Sequence, residues 1–124
     1  TLLGATPVFV DIDKDTYNID PAAFEVALEC YSTEGSPLKP RGVIPVDLFG
    51  LAADYNPIEK IAKKHGMFVL EDAAQGFGAV YDGRRAGSFG DVATTSFFPA
   101  KPLGCYGDGG AIFCDDDGLA AKLV

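Results

Sequence analysis

Three short apolar runs set the terms for this chain: GVIPVDLFG (42–50), MFVLED (67–72) and DVATTSFF (91–98). Each reads as a buried strand, the first ending near Asp47, with β-branched and aromatic residues. Between the first two lies Asn56-Pro57-Ile58-Glu59, a helix start with Asn56 as N-cap and Glu59 three residues on. Ile58, Ile61 and Ala62 fall on one face of that helix, and His65-Gly66 ends it. Strand, helix, strand at this spacing is the βαβ pattern, and its strands pair in parallel. The runs are almost continuously apolar, as strands covered on both faces should be. The expected class is therefore α/β, a three-layer α-β-α arrangement around a mostly parallel sheet.

The flanking segments extend the alternation. TPVFVDID (6–13) reads as a further strand. Asp20-Pro21 opens a helix, with Asp20 as cap, Pro21 in first place and Phe24, Ala27, Leu28 and Tyr31 on its apolar face. STEGSPLKPRG (32–42) and GRRAGSFG (83–90) read as loops. AIFCD (111–115) is the last strand, and Asp116 or Asp117 caps a closing helix over 118–124. No internal repeat, low-complexity tract or domain boundary interrupts the chain.

Length and charge remove several classes of function. The 124 residues make one domain or part of one. The chain opens at Thr1 and stops in helix-like sequence, so it is expected to be a piece of something longer. A net charge of −8 is the wrong sign for nucleic acid or an anionic membrane surface. No apolar run approaches the roughly 20 residues of a membrane span, and no secretory leader pattern is seen. Three cysteines with no CxxC pair (Cys30, Cys105, Cys114) read as reduced thiols, consistent with a cytoplasmic setting.

Chemistry concentrates in EDAAQGFGA (71–79) and TSFFPAKPLGCYGDGGA (95–111). Ligands of open α/β sheets sit at the carboxyl ends of strands. Asp72 ends one strand; Ser96 and Lys101 lie at or just past the end of the next. Lys101 is bracketed by Pro99 and Pro102, each of which fixes its own φ and restricts its predecessor. An amine held this way, opposite an acid at a neighbouring strand end, is the pair that pyridoxal phosphate (PLP) chemistry requires. The lysine supplies a Schiff base, and the acid keeps a pyridine nitrogen protonated. Gln75, one turn after Asp72, is placed to approach a cofactor's phenolic oxygen, and Ser96 to donate to a phosphate. Each residue has an ordinary explanation too: Asp72 as a helix cap, Gln75 as a polar helix residue, Ser96 as a small strand-end residue.

Other patterns carry less. The glycines at 104, 107, 109 and 110 match neither GxGxxG nor a phosphate-binding loop. Asp115-Asp116-Asp117 lacks the rest of a calcium loop, and no metal site is expected. His65 is the only histidine and sits at a helix end. Cys105 has no base partner in view.

GATPVFVDID, IPVDLFG, VLEDAAQGFGA and SFFPAKPLGCYGDGGA resemble the DegT-type nucleotide-sugar aminotransferases, PLP enzymes of fold type I. The resemblance runs through essentially the whole chain. It implies that Lys101 binds the cofactor covalently, that Asp72 pairs with the pyridine nitrogen, that Gln75 lies near the ring hydroxyl and that Ser96 binds phosphate. Dehydratase relatives replace the lysine with histidine, so Lys101 favours transamination. Asp47 departs from the histidine common in its motif. With SFFPAKPLGCYGDGGA, it points to a subgroup acting on 3-keto sugar nucleotides, which makes 3-amino sugars for surface polysaccharides. The resemblance further implies glutamate as amino donor, a homodimer, and a chain that is the central part of a PLP-binding large domain. The upstream phosphate turn and the C-terminal small domain would lie outside it. Two rivals stand beside this reading: another fold type I PLP enzyme, such as a lyase, and a non-catalytic α/β assembly module.

Overall fold

The computed structural model describes residues 2–31, 33 and 35–123. A four-stranded sheet organises them in the order β1 (Gly42–Val43), β2 (Phe68–Asp72), β5 (Val92–Ser96), β6 (Gly110–Phe113). β1 and β2 pair in parallel, as do β2 and β5, whereas β6 returns antiparallel to β5. α1 (Pro21–Tyr31) and α2 (Tyr55–Lys64) pack together, with α2 on β2. α3 (Asp117–Leu123) follows β6, its first turn capped by Asp116 Oδ1, which accepts from Leu119 N at 2.7 Å. The α/β class holds, with two parallel pairings and one antiparallel. Val124, which the sequence reading includes in the last helix, lies outside the described residues, as do Ser32 and Glu34 of the 32–42 loop.

Strand alternation divides the sheet into two unlike faces. Val43, Val69 and Ala93 point toward the helices and are buried. They join Phe24, Leu28, Ile58, Ile61, Ala62 and Phe89 in the core, apart from Ala93, which is buried beside it. The other face carries Ile44, Phe68 and Ile112, exposed by 59%, 47% and 53%. One helical layer is therefore present here, and the open face is where a three-layer fold places its second.

Local chemistry explains most boundaries. Asp20 accepts from Ala22 N at 2.8 Å and opens α1 as its N-cap. α2 ends in a Schellman pattern: Gly66 takes φ +63°, Gly66 N donates to Lys63 O and Met67 N to Ala62 O.

Three expectations fail for identifiable reasons. The run 6–13 forms no strand; only an isolated antiparallel bridge joins Ile12 to Ile19. Asp13 Oδ1 gathers the amides of Asp15 and Thr16 and turns the chain there, and no described strand offers 6–13 a ladder. Asn56 does not cap α2, which starts at Tyr55 after Asp54. These side chains reach across to another element instead: Tyr81 Oη donates to Asp54, Asn56 Nδ2 to Asp82 Oδ2, and Arg84 forks onto Glu59. That element is a hairpin inside the stretch 83–90 and just before it. β3 (Val80–Tyr81) and β4 (Arg84–Arg85) flank Asp82-Gly83, both at positive φ. Two left-handed residues are what a tight type I′ hairpin turn demands, and Asp-Gly is its usual sequence.

Past this hairpin, Phe89 plunges into the core. Its ring stacks on Tyr55 at 4.1 Å, meets Tyr81 edge-on, and lies under the Arg84 guanidinium. Gly90 turns the chain back at φ +64°, where a Cβ would sit 2.6 Å from Val69 O. A Gly90→Ala substitution therefore meets both left-handed strain and a backbone collision. We expect a loss of about 1–3 kcal/mol in urea unfolding.

Candidate active site

Parallel pairing aligns the carboxyl ends of β1, β2 and β5 along one edge. Asp72 closes β2 and is held from both sides. Its N donates to Pro45 O at 2.9 Å, its O accepts from Asp47 N at 3.0 Å, and Ala73 N donates to Thr94 O at 2.8 Å. Asp72 pairs with Thr94 in register, so Asp72, Thr94 and Ser96 project from the same, helix-free face.

Each sequence-predicted residue has one anchor and one group left over. Asp72 Oδ1 accepts from Ala74 N at 3.0 Å and starts a turn, not a helix, while Oδ2 takes no hydrogen bond among the described residues. Gln75 Oε1 accepts from Phe49 N at 2.9 Å. That N–H requires an acceptor, which assigns the amide orientation and turns Nε2 away as a donor. Phe49 offers its N–H from a left-handed conformation, φ +57°, inside the tight turn Leu48–Gly50. Ser96 Oγ accepts from Phe98 N at 3.2 Å and keeps its own proton for another acceptor.

Lys101 lies in a turn just past β5, its N donating to Phe98 O at 2.8 Å. The surrounding segment is tied back on itself: Cys105 N reaches Phe97 O, and Phe97 N reaches Gly109 O, both at 2.7 Å. Gly104 packs so closely on Pro99 that a Cβ would stand 2.5 Å from its carbonyl. These bonds, together with the prolines, fix the Lys101 backbone. Its Nζ makes no hydrogen bond or ion pair among the described residues.

A free carboxylate oxygen, an amide donor, a hydroxyl and an amine thus remain along one sheet edge. That donor set fits PLP, whose pyridine nitrogen, phenolic oxygen, phosphate and aldehyde would need those four partners. His65 caps α2, and Cys105 Sγ turns to Gly107 O, so neither joins the group. No His, Cys, Asp and Glu cluster suited to a metal ion occurs among the described residues.

Sequence reasoning missed what lies behind this edge. Asp47 and Glu71 are both fully buried on the helix side of the sheet. Asp47 Oδ1 accepts from Ala53 N at 3.0 Å and Tyr55 Oη at 2.8 Å; Glu71 accepts from Gly87 N at 2.6 Å and Phe89 N at 2.8 Å. Burial pushes the Glu71 carboxyl up to about 7 and raises that of Asp47. Burial, with Asp47 alongside, also raises the Tyr55 phenol. Alternation was the available signal. In VLEDAA, Glu71 and Asp72 must face opposite sides of the sheet, so one acid had to enter the core.

Residues 1–124 match the DegT/DnrJ/EryC1/StrS aminotransferase family. The chain belongs to that family. Aminotransferases of the DegT type depend on PLP, and a solved relative, NtdA from Bacillus subtilis, carries bound PMP. This chain is 35% identical to NtdA with a TM-score of 0.80, over 96% of its own length and 25% of NtdA. It is 54% identical over 122 residues to the UDP-2-acetamido-2-deoxy-3-oxo-D-glucuronate aminotransferase of Pseudomonas aeruginosa, covering 98% of this chain and 32% of that enzyme. A DegT-family aminotransferase structure from Brucella abortus superposes with a TM-score of 0.95 at 55% identity, over 98% of this chain and 32% of that one. The chain thus spans about a third of the length of these two relatives. Among the described residues, no helix is long and apolar enough to cross a membrane.

Proposed function

We propose that the protein carrying this chain is a PLP-dependent aminotransferase that moves an amino group from glutamate to a keto sugar nucleotide. The observation that carries this reading is the shared edge: Asp72 and Ser96 on one sheet face, with Lys101 in a tied turn beyond. When bound, PLP supplies an electrophilic carbon and an electron sink for the bond broken at the amino-bearing carbon. Asp72 Oδ2 accepts the pyridine N–H and holds that proton in place. Gln75 Nε2 donates to the phenolic oxygen, with its orientation set by Phe49 N. Ser96 Oγ donates to the phosphate. Lys101 Nζ would hold the cofactor and, as general base and acid, would take and return the proton at the substrate's amino-bearing carbon.

The substrate class is argued from relatives. The Pseudomonas enzyme acts on a UDP-linked 3-oxo sugar acid, and an Acidithiobacillus ferrooxidans relative, 46% identical, is named as a UDP-N-acetyl-3-dehydro-glucosamine aminotransferase. We assign a UDP-linked 3-keto sugar as acceptor, with the product serving amino-sugar and surface polysaccharide synthesis in the cytoplasm. The chain is the central part of a PLP-binding large domain. Its open sheet face, the missing phosphate turn and the small domain are completed by other segments and by a second subunit of a homodimer. The 124 residues alone therefore have little turnover.

A half-reaction tests this. The PLP-loaded protein is mixed with glutamate and no acceptor. We expect stoichiometric pyridoxamine phosphate and 2-oxoglutarate, then regeneration of PLP on adding a UDP-3-keto sugar. Consumption of an amino acid without pyridoxamine phosphate would mean a lyase, and no reaction at all would mean an assembly module.

A further inference from the structure

We propose that Asp47 and Glu71 share one proton in the folded protein, held between Asp47 Oδ2 and the Glu71 carboxyl, and that this proton locks the turn that carries Asp72 and Gln75.

Four carboxyl oxygens meet in a space that water does not reach, and their partners are unequal. Asp47 Oδ1 takes the Ala53 amide and the Tyr55 hydroxyl. Glu71 Oε1 takes the Gly87 amide and Oε2 the Phe89 amide. Asp47 Oδ2 alone has no donor and is the one buried side-chain polar atom without a partner among the described residues. The parallel bridge between Val46 and Asp72 sets the adjoining Asp47 and Glu71 near each other on the buried side of the sheet, where each acts on the other's ionisation. Two buried carboxylates side by side cannot both stay charged at low cost, and neither forms an ion pair with lysine or arginine among the described residues. From α2 the facing titratable group is Tyr55, which donates; Asp72 of β2 lies on the opposite face of the sheet, and its charge opposes ionisation of Asp47. The 83–90 stretch offers only the two amides, because Arg84 is turned to Glu59. A proton between Asp47 Oδ2 and Glu71 satisfies every one of these atoms. Asp47 Oδ1 stays an acceptor for its two donors, Glu71 keeps lone pairs for its two amides, and the pair carries one negative charge between them.

Position ties the pair to the site. Asp47 N donates to Asp72 O, and Glu71 precedes Asp72 in β2. Gly76 lies directly on Asp47: a Cβ there would stand 2.5 Å from Asp47 Cβ and 2.7 Å from Oδ2. The turn from Asp72 to Gly76 therefore rests on the shared proton. Glu71 is pushed up to about 7, and the proton lost there belongs to the pair. The folded form binds this proton more tightly than the unfolded chain does. Its stabilisation is complete below the ordinary carboxylate range and disappears as pH rises through about 7.

The two acids differ in what their amides would do, and the test uses that difference. Asp47→Asn keeps a carbonyl for Ala53 and Tyr55 and presents a fixed N–H donor to Glu71, so it replaces the shared proton. Glu71→Gln offers one carbonyl to two backbone amides and sets its NH2 against the other. Thermal unfolding of the purified protein is measured between about pH 5 and about pH 9, with infrared spectra of the carboxyl carbonyl region. We expect a protonated-carboxyl band at low pH that fades through about pH 7 and is missing in Asp47→Asn. That variant should keep the wild-type melting temperature at low pH and lose less of it on going alkaline. Glu71→Gln should melt lower at every pH. A missing band, a band unchanged in Asp47→Asn, or equal damage from both variants overturns the shared proton.

The link to the cofactor rests on the reading of Asp72 proposed above and is read separately. PLP retention after gel filtration should fall above about pH 7 in the wild type and stay flatter in Asp47→Asn. Equal pH profiles would overturn that link, whatever the infrared bands show.

Discussion

Exchanging Lys101 for alanine should abolish transamination while leaving the protein folded. Removal of a positioned general acid–base alone costs about 10²–10⁴-fold, and Lys101 is also the covalent anchor. A loss of at least about 10³-fold in kcat is therefore expected. Folding should be spared, because the turn is held by backbone bonds at Phe97, Phe98 and Cys105, and the lysine side chain makes none among the described residues. Arginine in the same place keeps the charge but is not a usable nucleophile, and should be as inactive as alanine. Steady-state rates with glutamate, alongside far-ultraviolet circular dichroism, separate the two effects. A variant with more than about a tenth of wild-type activity would remove Lys101 from the chemistry.

The largest stability effect should come from Phe89, which supports the site without touching it. Phe89 is 1% exposed, stacks on Tyr55 and ties its own amide to Glu71. Truncation to alanine opens a cavity between α2, the hairpin and β2, at a cost of about 3–5 kcal/mol. That is a large share of a typical total of about 5–15 kcal/mol. Leucine should recover most of the volume but lose the stack on Tyr55. Urea unfolding midpoints give the comparison. An alanine variant within about 1 kcal/mol of wild type would mean that the aromatic cluster is not the keystone of this side of the sheet.

How far the sequence foretold all this depended on whether the deciding interactions were local. The βαβ core was legible because apolar periodicity and the helix ends at Asp20 and His65-Gly66 act over a few residues. So was the convergence of Asp72 and Ser96 on one edge, which follows once β2 and β5 are parallel neighbours. What failed was settled across the chain. Asn56 has cap chemistry, but Asp82 claims its side chain from a distant element. Residues 6–13 have strand composition, but no described strand pairs with them in a ladder. Phe89 looked like part of a loop because its core role depends on the Asp82-Gly83 hairpin turning it inward. In the sequence, Asp47 stands out only as a departure from the histidine common in its motif. Its burial beside Glu71 follows only once the chain around Val46 pairs with Asp72.

The most direct measurement is to trap the cofactor on the protein. The full protein is loaded with PLP, reduced with borohydride, digested and mapped by mass spectrometry. The account predicts a single phosphopyridoxyl group on Lys101, lost in the alanine variant. Label spread over other lysines, or none at all, would contradict it.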